Sequence, residues 1–214
     1  MKTPASRSAH LLLMSFCLLG LAACQSDDEA PVPIPANEVR PIAQFLTKSI
    51  ISVTKVDLGS SSNPNPDGGG APKSSEFGFA FSSSASGRVT KVGVLYPQLG
   101  QYVVSIWDLA TGTRLFQTNV NQTQADQPTY LSIPPLALEV SKQYVISANN
   151  HLVTNKSYNL VRFKTTQTSP LLPFTESPIT VIESRSQASE TPVLPKSVST
   201  NSMFGCVDLG FVAD

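Results

Sequence analysis

The chain has 214 residues, only 14% of them charged, and Lys plus Arg balance Asp plus Glu at 15 each. Without clustered positive charge it lacks the electrostatic footprint of a nucleic-acid binder. Gly, Pro, Ser, Thr and Asn are abundant and strong helix formers are sparse, a balance that points to many short strands joined by long polar loops.

The first residues carry an address. Lys2 and Arg7 precede an apolar run over residues 11–19, followed by Leu21-Ala22-Ala23-Cys24. This is the order of a secretory leader, and the run is too short for a membrane span, which needs about 20 residues. The Leu-x-x-Cys segment resembles the lipobox of bacterial lipoproteins. The resemblance implies that residues 1–23 are removed and that Cys24 becomes a lipidated N-terminus. Each buried methylene of such an anchor contributes about 0.8 kcal/mol. Residues 24–41 then read as a tether. Asp27-Asp28-Glu29 is a solvated, self-repelling spacer. It also resembles the acidic signal of surface-exposed Bacteroidetes lipoproteins, with Ser26 where lysine is common, which implies the outer face of the outer membrane. Pro31, Pro33 and Pro35 alternate, favouring an extended polyproline stalk.

Residues 42–214 read as one domain. Residues 42–57 predict a strand or two, with a helical turn at 43–46 as the alternative. A loop follows over 59–75, where Asn63-Pro64-Asn65-Pro66-Asp67-Gly68-Gly69-Gly70 is too rich in Gly and Pro to be regular. Phe77, Phe79 and Phe81 alternate with small residues, a strand with one large apolar face. Strands are also predicted over 88–96, 101–109 and 113–120, with Ala110-Thr111-Gly112 as a tight hairpin turn. The strand at 129–133 is expected to stop at Pro134-Pro135, which cannot donate to a ladder. Strands at 142–149 and 160–164 follow, then an edge strand at 179–183, a long polar loop over 184–202 and a closing strand at 204–212. Eight or more short strands with little helical periodicity predict an all-β, jelly-roll-like antiparallel sandwich.

Several of these segments resemble one bacterial family. They are Phe77-Gly78-Phe79-Ala80-Phe81, Gly87-Arg88-Val89-Thr90-Lys91-Val92-Gly93-Val94, Ser105-Ile106-Trp107-Asp108, Lys142-Gln143-Tyr144-Val145-Ile146-Ser147 and Gly205-Cys206-Val207-Asp208-Leu209-Gly210-Phe211. The family is a domain of unknown function in secreted bacterial proteins. The resemblance implies a jelly roll akin to carbohydrate-binding modules, and it brings no catalytic residues.

Chemistry-bearing motifs are few. His151 is the one histidine beyond the leader, no zinc-ligand spacing or Gly-x-Ser-x-Gly elbow occurs, and no cofactor or metal is expected. Cys206 stands alone once Cys17 leaves and Cys24 is lipidated, and reads as a small buried hydrophobe. Asp108 and Asp208 are the one carboxylate pair worth weighing for glycoside chemistry, but turn capping explains them better. The chain is therefore expected to be non-enzymatic. Trp107, Asn149, Asn150, His151 and Tyr158 are the candidate ligand residues, because an indole stacks on a sugar ring and amides read its hydroxyls. Trp107 is expected on the outer side of its strand, opposite Val104 and Ile106. The expected partners are the membrane, through the lipid, and a glycan or surface protein. The rival reading is a structural or protein-interaction module, which requires a buried Trp107.

Overall fold

A computed structural model describes residues 37–58, 74–154, 156–165 and 169–214. The leader, Cys24, most of the tether and the loop at 59–73 lie outside the described residues. The elements are β1 (Glu38–Val39), α1 (Pro41–Leu46), β2 (Ile51–Asp57), β3 (Ser75–Ser83), β4 (Gly87–Val94), β5 (Gly100–Asp108), β6 (Arg114–Gln122) and β7 (Thr129–Leu138). After them come β8 (Tyr144–Asn149), β9 (Ser157–Phe163), β10 (Phe174–Glu176), β11 (Ile179–Ala188), β12 (Ser197–Ser199), β13 (Met203–Phe204) and β14 (Val207–Ala213).

The strands build the expected all-β antiparallel sandwich. One sheet runs β1-β14-β4-β7, and the other runs β10-β11-β3-β8-β5-β6 with β12 also on β11. Some successive strands cross between the two sheets, as β3 to β4, β4 to β5, β6 to β7 and β7 to β8 do, whereas β5–β6 and β10–β11 pair within the second sheet. A third sheet, β13-β9-β2, joins the same core through Ile51, Val161 and Met203.

Period-two patterning sets the faces. Phe77, Phe79 and Phe81 of β3 point inward beside Tyr144 and Ile146 of β8 and Val104 and Ile106 of β5. They meet Val92 and Val94 of β4 and Leu209 and Phe211 of β14. The Phe79 and Phe81 rings lie edge to face, 5.9 Å between centroids. Burying each such side chain contributes about 1.5–3 kcal/mol before chain entropy is counted. Val89 and Val92 break the alternation, yet both are fully buried. A register shift at Thr90 makes this possible, because the bulge turns both valines inward.

Four expectations need revision. The 43–46 ambiguity resolves as helix α1, which opens on Pro41 at its first turn. Residues 38–41, read as tether, belong to the domain, because Glu38 and Val39 pair with Val212 and Phe211. The strand at Thr129 does not stop at Pro134-Pro135 but continues to Leu138. β7 is an edge strand, and both prolines fall where its pairing with β4 is interrupted opposite Thr90, so no ladder donor is needed. Finally, β11 is ten residues long and interior, flanked by β3 on one side and β10 and β12 on the other. Its second half, Ser184 to Ala188, is polar on both faces, so its pairing has no apolar period to announce it.

Gly78 offers a direct test. A Cβ there would sit 2.1 Å from the Ile146 carbonyl oxygen, a backbone atom that cannot swing away. Gly78→Ala should destabilise the fold by at least about 1–3 kcal/mol, read as a lower urea midpoint with an unchanged slope.

Candidate functional site

The outward positions of the larger sheet hold the site. In β5, Tyr102, Val104 and Ile106 face the core, leaving Val103, Ser105 and Trp107 on the outer face. Register places Asn149, Ser147 and Val145 of β8 beside them, followed by Glu76, Gly78 and Ala80 of β3. The outer face of an ordinary sandwich is wet. Here Glu76, Ser105, Ser147, Asn149 and Trp107 are all buried.

A strap, residues 189–196, accounts for part of this cover. It leaves the end of β11, crosses the outer face and returns to β11 as β12. Asn149 Nδ2 donates to the carbonyls of Ser189 and Thr191, each at 3.2 Å. The Val193 amide reaches Glu76 Oε2 at 3.4 Å, and Arg185 Nη1 donates to the Pro195 carbonyl at 3.1 Å. At the entry of the strap, Glu190 accepts from the Ser74 amide and hydroxyl. Leu194 packs with Ala80, Trp107 and Val145 in a small apolar cluster. The strap is thus fixed by the half-buried Leu194, the buried Pro195 and a handful of hydrogen bonds, each bond contributing about 1 kcal/mol net.

The face is not fully satisfied. Glu76 Oε1 and Ser105 Oγ have no hydrogen-bond partner among the described residues, although both residues are 0% exposed. Burial pushes the Glu76 carboxyl up to about 7, while Ser147, Asn149, the Val193 amide and Arg114 act in the opposite direction.

Each residue singled out in the sequence has a defined place. Trp107 lies on the outer side, as expected, but is only 6% exposed. Its Nε1 donates to Ser147 Oγ at 2.9 Å, and the Arg114 guanidinium stands 5.4 Å from its ring. A ligand can stack on this indole only if a neighbour leaves. Asn149 is committed to the strap on one side and to His151 on the other, its Oδ1 accepting from the His151 amide at 2.9 Å and lying 2.8 Å from Nδ1. Asn150 Oδ1 accepts from the Ser75 amide at 2.7 Å. Tyr158 is not part of this constellation. It packs on Phe77 and Phe204, and Phe77 points to the inner side of β3. Pattern reading missed Glu76, Ser105 and Ser147. Their signal was present: polar residues at alternate positions of central strands otherwise filled by large apolar ones.

Asp108 and Asp208 do not converge, since they belong to different sheets. Asp108 caps the β5–β6 turn through the Thr111 amide at 3.0 Å and pairs with Lys142 at 3.1 Å, which together lower its pKa. Asp208 is a buried staple. It accepts from the Ile42, Ala43 and Leu209 amides and the Tyr130 hydroxyl at 2.7–3.1 Å. Burial pushes its carboxyl up to about 6 against those donors. It borders a cavity of about 200 Å³ lined mainly by apolar side chains such as Ile42, Leu46 and Val94. Cys206 lines the same cavity, its thiol pushed up by burial and so held as an unreactive SH. Among the described residues, no three metal-ligating side chains gather, and no helix is long and apolar enough to cross a membrane.

Glu76 gives a pH prediction with a definite sign. A carboxyl raised from 4.5 to about 7 by folding binds its proton more tightly in the native state. Its contribution is complete below pH 4.5 and is lost as pH rises towards 7. Glu76→Gln should match the parent in acid and become the more stable of the two above neutrality, by on the order of 2–3 kcal/mol. Thermal unfolding of both from pH 4 to pH 8 measures the widening gap.

No protein-family model matches this chain, and no curated protein matches it in sequence.

Proposed function

We propose that this chain is a non-enzymatic recognition module held on the outer membrane by a lipid at Cys24, with an extracellular carbohydrate as its ligand. The observation that carries the reading is the row of uncharged amides on the outer face of the β5–β6 hairpin. Gln101, Gln117, Asn119 and Asn121 are exposed there, side by side across the register pairs Gln101–Asn121, Ser105–Gln117 and Val103–Asn119. Amides that donate and accept together match the alternating hydroxyls of a sugar chain. The row continues into the buried face that carries Trp107. The leader, the Leu-x-x-Cys site and the proline stalk support the envelope address.

The alternative is a structural or protein-interaction module with no small ligand. Two observations favour it: Trp107 is buried, and β6 has no partner on its outer edge among the described residues. A free edge is a site for strand addition by another chain.

A glycan array separates the two. The parent should bind a subset of neutral glycans, and Gln117→Ala combined with Asn119→Ala should weaken binding at least about tenfold. Exposed substitutions of this kind typically move stability by no more than about 0.5 kcal/mol. A blank array from folded protein removes the carbohydrate reading and leaves the module that presents β6 to a protein.

A further inference from the structure

We infer that residues 189–196 are a displaceable lid over a second, deeper part of the sugar site: a pyranose ring takes the place of Leu194 against Trp107, and its hydroxyls meet Glu76, Ser105, Ser147 and Asn149. This rests on the carbohydrate reading above and adds a location and a gate to it.

Three observations carry the inference. First, the floor is a recognition surface before the strap covers it. Indole, two hydroxyls, a carboxyl and an amide share one sheet face within two neighbouring rows of Trp107. Second, the strap satisfies that floor incompletely. Glu76 Oε1 and Ser105 Oγ are buried without partners among the described residues, and the Val193–Glu76 contact is long at 3.4 Å. A polar group buried without a partner is costly, so a ligand that supplies one is favoured over a lid that does not. Third, the lid imitates a ligand. It offers Asn149 two carbonyl oxygens, as a sugar offers hydroxyl oxygens, and it lays one apolar side chain against the indole cluster. Residues 192–196 form no ladder of their own, and Pro192 and Pro195 remove two backbone donors that would hold them down. The ends of the strap are fixed by β11 and β12, so it can swing out without unravelling the sheet.

A lid that must open lowers apparent affinity by the fraction of open molecules, so loosening it should tighten binding. Trp107, the single tryptophan, reports on the lid directly. The full chain, Leu194→Ala, the more drastic Leu194→Ser, and Ser105→Ala are titrated with cellohexaose, xylohexaose, mannohexaose and chitohexaose. Circular dichroism verifies the fold of each, and acrylamide quenching of Trp107 is followed with and without sugar. The expected result is greater quenching and about tenfold tighter binding in Leu194→Ala, and weaker binding in Ser105→Ala. If a hexasaccharide binds but neither substitution changes its affinity, the lid is refuted while the carbohydrate reading stands on the exposed amides. If no hexasaccharide binds the parent or a folded Leu194 variant, both are overturned. Trp107 equally protected in the parent and both Leu194 variants also overturns the lid.

Discussion

Strands β3, β8 and β5 are covered on both faces, and this constraint shapes the rest of the molecule. A sheet with one wet face needs only one apolar side. Here the inner face is closed by interdigitated aromatic and branched side chains, and the outer face is a mixed polar and apolar surface that also lies out of water. Every polar atom placed there must find a partner or carry a desolvation penalty. The strap, the Asn149–His151 turn and the Trp107–Ser147 hydrogen bond are the answers found, and Glu76 Oε1 and Ser105 Oγ are where the answer is incomplete.

The two raised carboxyls illustrate how differently one chain can treat a buried acid. Asp208 is surrounded by donors from α1, β7 and its own strand. Gly93 makes this possible, because a Cβ there would collide with the Tyr130 ring at 2.5 Å and keep its hydroxyl from crossing β4. Asp208 is thus a joint, and its environment leaves no lone pair begging. Glu76 is buried beside Ser147 and Asn149, with one long backbone contact and its Oε1 without a hydrogen-bond partner among the described residues. The cavity of about 200 Å³ borders Asp208, so what sets Glu76 apart is an unpartnered oxygen and not open space around it.

The inner half of this architecture was legible in the sequence because a sandwich core imposes a period of two. Phe77, Phe79 and Phe81 announced β3, and Val104 and Ile106 gave the facing of β5, including the outward position of Trp107. What pattern could not supply was the cover on the far side. Whether an outward tryptophan is wet depends on residues 189–196, far along the chain, whose backbone carbonyls accept hydrogen bonds from Asn149 and Arg185 and which follow no apolar period. The same blindness hid the second half of β11 and the passage of β7 through two prolines. Register shifts and backbone pairing decide those, and neither leaves a compositional trace.

The antiparallel pairing of β1 with β14 has a mechanical meaning. The chain enters the domain at Glu38 as a two-residue edge strand beside the last strand. Any pull transmitted through the preceding residues therefore meets β1 first, a strand with only the register pairs Glu38–Val212 and Val39–Phe211 to hold it on β14. Glu38 is what resists. Its carboxylate grips Arg40 at 2.6 Å and Lys91 of β4 at 2.9 Å, with its side chain 1% exposed. Traction on the N-terminus is thereby passed sideways into β4 at the middle of the sheet and is not carried by the β1–β14 hydrogen bonds alone.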